Sequence, residues 1–252
     1  MKPFVLGIGG FDPSSGAGIT ADIKTFENCS VYGLGAVTAV TFQNENNFSG
    51  LKWITQDDIT NQLNSVIFYY PLEFVKIGIV ESLNVLDNII NHLLSVDNNI
   101  KIIWDPVIKS STGFIFQSDF KENKLFDILR KIFLVVPNVS EFETLFDKIN
   151  VTSKNIHETI IRENLCSVLI KSGHTDPYNH NDLLYQKEGL TVIHGRRLDG
   201  FEKHGSGCVY ASAITSYLAL GNNLTAACIF AKDYINNFLT SSDSKLGFHF
   251  NA

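Results

Sequence analysis

Short, almost wholly apolar runs recur along this chain, each followed by a longer stretch whose apolar residues return every three or four positions. The runs Phe4 to Ile8, Ala36 to Phe42, Phe74 to Ile77, Ile102 to Trp104, Phe133 to Val136 and Val168 to Ile170 mostly lack polar alternation. They predict strands buried on both faces. The segments between them predict helices. The first begins near Gly18 and sets Ile19, Ile23 and Phe26 on one face. Others fall near 57–68, 82–94, 120–131, 139–147 and 154–164. Such alternation implies stacked βαβ units, hence an α/β fold with a mostly parallel central sheet and helices on both faces.

Beyond residue 171 the pattern changes. Leu183 to Tyr185 and Thr191 to His194 flank a polar turn, Gln186 to Gly189, and predict an antiparallel pair at one sheet edge. Two apolar helices follow, near 207–219 and 223–239, and no regular structure is expected in the polar tail 241–252. No low-complexity linker and no internal repeat interrupts the 252 residues, so a single domain over 1–252 is expected.

Composition narrows the function classes. Hydrophobic residues make up 44% and charged residues 18%, which supplies a core and excludes a globally disordered chain. The net charge is −6 and no basic run exceeds Arg196-Arg197, so nucleic-acid binding is not expected. Cys29, Cys166, Cys208 and Cys228 lie far apart without a C-x-x-C pair. That spacing fits free thiols in a reducing cytosol better than a zinc site or a disulfide framework. With no cleavage-site pattern and no stretch approaching 18 apolar residues, a cytoplasmic protein without a membrane span is expected.

In an open parallel sheet, ligands bind beyond the carboxyl ends of the strands. The segments there are Gly9-Gly10-Phe11-Asp12, Gln43-Asn44-Glu45, Asp105-Pro106-Val107, Pro137-Asn138-Val139-Ser140-Glu141 and Lys171-Ser172-Gly173-His174. His204-Gly205-Ser206-Gly207-Cys208 stands directly before an apolar helix. Glycines there allow close backbone approach, and a helix start offers unpaired N–H groups and a positive dipole end, which suits a phosphoryl group in transfer. By spacing alone, an ordinary glycine turn capped by Ser206 fits equally well. Cys208 sits where a thiol pKa can fall, making it a candidate proton acceptor or nucleophile. His204 lies on the far side of the turn, so no Cys–His dyad is expected. Asp105 and Glu141 are either Mg²⁺-holding carboxylates or a turn residue and a helix cap. Asp12 occupies the place of a third glycine, which excludes a dinucleotide fingerprint, and Ala17 after Gly16 excludes a Walker A loop.

Eight collinear segments carry a family likeness: GFDPSSGAGITADIKTF, VTAVTFQNEN, FVKIGIVES, DPVIKSSTG, VPNVSEFETL, VLIKSGH, HGSGC and AKDYI. With them the sequence resembles the hydroxymethylpyrimidine/phosphomethylpyrimidine kinases of thiamin biosynthesis, within the ribokinase superfamily. The resemblance implies a ribokinase-like three-layer fold, ATP as donor with Mg²⁺, a pyrimidine alcohol or its monophosphate as acceptor, and a homodimer. It implies that Gly205, Ser206, Gly207 and Cys208 form an anion hole, with Cys208 in the place of the catalytic base. Gly10, Asp22, Gln43 and Val107 would border the aminopyrimidine, while Asp105, Asn138 and Lys171 would meet the nucleotide. Glu141, and Asp105 through water, would serve the magnesium ion. The alternatives are a pyridoxal or pyridoxine kinase of the same fold and a non-catalytic pyrimidine-binding module. Phe11 stands where the family usually has Ser or Thr, and is expected to narrow or reshape the acceptor pocket. Ser15 stands for Gly, Ile19-Thr20 for Ile-Gln, Ile79 for Met and Ser206 for Thr. Lys203, where Thr usually precedes the His, is a candidate for meeting a phosphate already on the acceptor.

Overall fold

The strands are β1 (Phe4–Phe11), β2 (Tyr32–Gln43), β3 (Phe48–Trp53), β4 (Leu72–Ile77), β5 (Lys101–Trp104), β6 (Leu134–Val135), β7 (Ser167–Ile170), β8 (Asp182–Gln186) and β9 (Gly189–Ile193). The helices are α1 (Gly18–Asn28), α2 (Gln56–Ile67), α3 (Leu83–Val96), α4 (Glu122–Lys131), α5 (Val139–Phe146), α6 (Ile156–Glu163), α7 (Ser206–Ala219) and α8 (Leu224–Leu239). The structure, a computed structural model, describes residues 2–110, 113–116, 122–172, 180–196, 198 and 202–250.

Among the described residues, nine strands form one sheet in the order β3-β2-β1-β4-β5-β6-β7-β8-β9. The run from β2 to β7 is parallel, and β3, β8 and β9 pair antiparallel at the two edges. Alternation along each strand sends successive side chains to opposite layers. In β4, Val75 and Ile77 join the core under α2 to α6, whereas Phe74 joins the core under α7 and α8. The first core gathers Leu63, Leu86, Leu125, Leu145 and Ile160, all 0% exposed, and the second gathers Val209, Ala213, Ala227 and Ala231. Each such large aliphatic contributes about 1.5–3 kcal/mol on burial, which makes the two-sided packing the main support of the sheet. Local signals agree with it. Thr55, Ser82 and Asn223 cap α2, α3 and α8 through their side chains.

Several elements differ from the sequence reading. β3 was not expected, because FSGLKW holds a glycine and alternates between half-buried and exposed positions, as edge strands do. β2 begins earlier than Ala36, through Tyr32 and the glycines 33 and 35, against whose backbone Ile23 and Phe26 of α1 pack closely. The expected helix over 120–131 begins at Glu122, with 120–121 outside the described residues. The described part of the tail, 241–250, has no helix or strand but is tied down. Lys203 Nζ donates to the backbone carbonyls of Ser242 and Ser244, the His204 N–H to Lys245 O at 2.8 Å, and the Phe248 N–H to Ser241 Oγ at 2.7 Å.

The chain leaves β1 toward β2 on one side and returns toward β4 on the other. Where that direction reverses, the connecting segments diverge and leave a crevice above the carboxyl ends of the strands.

Candidate active site

A cavity of about 640 Å³ occupies that crevice, a volume suited to small-molecule ligands. Of the residues expected from the sequence, Gly10, Gln43, Asp105, Val107, Asn138, Glu141, Lys171, Gly205, Ser206, Gly207 and Cys208 all line it. Five strand ends and one helix start therefore converge on one space. Asp22 does not line it.

The glycine turn is not capped by Ser206. Gly205 is the N-cap of α7 at φ +73°, and no side chain caps the helix start. The first-turn N–H groups are thereby left for a ligand. A Cβ at Gly205 would lie 2.0 Å from Gly16 O, so the turn sits against the 12–17 loop with room only for glycine. Asp12 organises that loop. Its carboxylate accepts from Ser14 N and Ala17 N, each at 2.9 Å, and from His204 Nε2 at 2.8 Å. Burial raises its pKa, but the hydrogen bonds from His204 and Ser14 outweigh burial and hold the carboxyl below its ordinary value. His204 thus fastens loop to turn.

On one side of the cavity, Lys171 Nζ donates to Asp105 Oδ1 at 2.8 Å and faces Gly207, whose added Cβ would come within 3.5 Å of it. Burial draws the lysine down, but Asp105 and Glu141 prevail and hold its ammonium above its ordinary value. Asn138 and Glu141 form a reciprocal capping box at the start of α5, with Glu141 Oε2 accepting from Asn138 N at 2.8 Å. The helix-cap reading of Glu141 is therefore realised at a residue that also faces the cavity. Burial pushes its carboxyl up to about 7 against the pull of Lys171, with Asp105 adding to the rise. Asp105 Oδ2 is buried without a hydrogen-bond partner among the described residues. An orphaned carboxylate oxygen beside a second carboxylate, both in a cavity lined by Lys171, is a donor set that fits a hydrated Mg²⁺.

Gly10, Thr41, Gln43, Ile79 and Val107 form a further wall of the cavity. A Cβ at Gly10 would stand 2.5 Å from Ile79 Cδ1, so the glycine admits the Ile79 side chain. Three expectations are corrected here. Asp22 is wholly buried: both its oxygens accept from Lys76 Nζ at 2.9 Å and Oδ1 also accepts from Ser212 Oγ at 2.7 Å, leaving it no face toward a pyrimidine. Phe11 is half-exposed and absent from the cavity lining, because it ends β1 on the other side of the pleat from Gly10; its carbonyl accepts from Thr41 Oγ1. Lys203 lines the cavity, yet its ammonium is engaged by tail carbonyls.

Cys208 also departs from expectation. The helix start does not depress its thiol pKa: burial pushes it up to about 11, opposed by Lys76 and a backbone hydrogen bond from Gly18. Lys76 is a cavity-lining residue the sequence reading passed over. Its signal was a single charge inside the apolar run FVKIGIV, and a charge buried there must be paired.

The phosphomethylpyrimidine kinase family model matches residues 12–251. The bifunctional thiamine biosynthesis protein ThiDN of Methanocaldococcus jannaschii is 32% identical over 98% of the chain, which spans only 56% of that protein. The hydroxymethylpyrimidine/phosphomethylpyrimidine kinase of Aquifex aeolicus is 32% identical, with 96% of each covered. Among solved structures, phosphomethylpyrimidine kinase from Clostridium difficile superposes with a TM-score of 0.77 at 31% identity, covering 94% of this chain and 99% of that one. Pyridoxal kinase from Staphylococcus aureus, in complex with AMP-PCP and pyridoxal, gives 0.81 at 25% identity, covering 96% and 89%. Matched over almost its whole length by the family model, the chain belongs to the phosphomethylpyrimidine kinase family.

Proposed function

We propose that the protein is an ATP-dependent kinase that phosphorylates 4-amino-5-hydroxymethyl-2-methylpyrimidine, its monophosphate, or both, in thiamin biosynthesis. The observation that carries this reading is the cavity itself, with an uncapped α7 start and Lys171 at one end and the Gly10–Gln43–Ile79–Val107 wall at the other. A flat ring bearing a hydroxymethyl arm fits against the wall, where the Gln43 carboxamide can both donate to a ring nitrogen and accept from an exocyclic amine. ATP phosphates fit against the α7 N–H groups, Asn138 and Lys171. The acceptor oxygen then attacks the γ-phosphorus in line, the bond to ADP breaks, and the hydroxyl proton passes to the Cys208 sulfur, which has first lost its own proton to water. Glu141 and Asp105 would hold Mg²⁺, which supplies charge neutralisation between nucleotide phosphates. No helix among the described residues is long and apolar enough to cross a membrane, and a cytoplasmic homodimer completes the reading.

A second reading, pyridoxal phosphorylation, is favoured by one finding: the likeness to the pyridoxal kinase bound to AMP-PCP and pyridoxal. The two acceptors share a hydroxymethyl arm on a nitrogen heteroaromatic ring. Purified protein with ATP and Mg²⁺, offered each alcohol separately, decides between them by kcat/KM. A preference for the pyrimidine is expected. A preference for pyridoxal reverses the substrate assignment, and transfer to neither overturns the kinase reading.

A further inference from the structure

The ion pair beneath the cavity floor has no role in the transfer described so far. Lys76 is 0% exposed, on β4, and its ammonium is clamped by both oxygens of Asp22 on α1. An ammonium has three N–H donors, and among the described residues Asp22 is its only acceptor. The opposite side of the ammonium faces the cavity, where it lines the floor and would lie 3.2 Å from a Cβ at Gly78. Burying a salt bridge this completely is costly, and apolar residues of similar volume would serve a purely structural purpose at least as well.

Its place relative to Cys208 is fixed by α7. Ser212 donates to Asp22 Oδ1, and Ser212 follows Cys208 by four residues, so both lie on one helix face about one turn apart. The charged groups that bear on the Cys208 sulfur are Lys76 on β4, Asp22 on α1, Asp105 after β5 and Lys171 after β7. Of these, Lys76 is the strongest influence in favour of a negative sulfur. We propose that Lys76, clamped by Asp22 one helical turn from Cys208, is a positioning residue whose positive charge favours ionisation of the buried Cys208 thiol when the acceptor is in place. The resting thiol gives its proton to water. The thiolate then takes the proton of the acceptor hydroxyl as the oxygen–phosphorus bond forms and the phosphorus–oxygen bond to ADP breaks, leaving the neutral thiol. This role rests on the kinase reading for its use, but the field at the sulfur exists without substrate and is tested without it.

The test compares wild type with the neutral double variant Asp22→Asn/Lys76→Met and with the single variant Asp22→Asn. Each is treated with iodoacetamide at pH 8 in the absence of substrate. Modification is followed peptide by peptide, with buried Cys29, Cys166 and Cys228 as internal references. Melting temperature, ADP affinity and kcat are measured in parallel. In the double variant we expect the melting temperature within a few degrees of wild type, Cys208 modification at least tenfold slower, kcat about a hundredfold lower, and ADP affinity within threefold. In Asp22→Asn the remaining cation is no longer offset, and Cys208 modification at least as fast as wild type is expected. A double variant that modifies and turns over within threefold of wild type makes the pair structural and overturns the proposal. So does an Asp22→Asn variant slowed at Cys208, which decides the question even where the double variant fails to fold. Absence of transfer by wild type to any alcohol overturns the kinase reading alone, since the modification rates still decide the role of Lys76.

Discussion

Replacing Gly205 by Ala perturbs the proposed anion cradle at its least forgiving point. The residue sits at φ +73°, a left-handed conformation that costs an L-amino acid about 1–2 kcal/mol. Its new Cβ would lie 2.0 Å from Gly16 O and 2.6 Å from Ala17 Cα. Both are backbone atoms, so no flexible side chain can swing away, and the two segments must part by at least about 1 Å to reach the shortest contacts that real Cβ atoms make. Neither segment is free to do so. The 12–17 loop is bound through Asp12 to His204, and α7 is held about two turns further along by Ser212 on Asp22. Overpacking of this kind costs a further 1–3 kcal/mol, roughly, so a loss of about 2–5 kcal/mol is expected from urea denaturation. Because misplacing catalytic groups by about 1 Å costs on the order of a hundredfold in rate, kcat should fall by about that factor. Gly207→Ala is the control: its Cβ meets Lys171 Nζ at 3.5 Å, an ordinary contact, and it lies inside the helix, where Ala is favoured. Its stability should match or slightly exceed wild type. A Gly205→Ala enzyme with stability and kcat both near wild type would refute the close-packed cradle.

Three further outcomes follow from the same geometry. Cys208→Ala should lose at least about a hundredfold in turnover, since positioned proton transfer contributes on that order, while nucleotide affinity measured by calorimetry stays within threefold. Asp12→Asn should lower stability at neutral pH by about 1–3 kcal/mol. The Asp12 pKa is depressed on folding, so its contribution is present above the unfolded value and fades as pH falls through the folded one; the gap between variant and wild type in urea should close in acid. Glu141 has the opposite sign. Its carboxyl is raised from 4.5 to about 7, so its protonated form favours the fold below the lower value and that contribution is lost as pH rises to about 7. Glu141→Gln should therefore flatten the wild-type decline in stability between those pH values, and an unchanged slope would contradict the burial argument.

How much of this was legible in the residues depends on the kind of signal. Strands buried on both faces announce themselves as apolar runs, and the glycine turn before α7 announces itself by composition. The edge strand β3 does not, because its half-exposed FSGLKW carries neither signal and its pairing with β2 is long-range. Site residues that touch the cavity, such as Asn138, Lys171 and Gln43, were legible as polar clusters at strand ends. Asp22 misled because α1 starts at the cavity rim while its side chain turns inward, toward a lysine 54 residues away. The helix-start argument for an acidic Cys208 weighed the dipole but not the burial, and burial is the larger effect. Phe11 was misplaced for a simpler reason: one step along a strand changes the face.

The central claim places an acceptor hydroxyl between Cys208 and a nucleotide phosphate held on the α7 start. The most direct measurement is a crystal structure of the protein with AMP-PCP, Mg²⁺ and the pyrimidine alcohol. The account expects the ring against Gly10, Gln43 and Val107, the hydroxymethyl oxygen within hydrogen-bond reach of the Cys208 sulfur, and the terminal phosphate on the N–H groups of residues 205–208. A nucleotide bound away from that turn, or a hydroxymethyl arm directed away from Cys208, would contradict it.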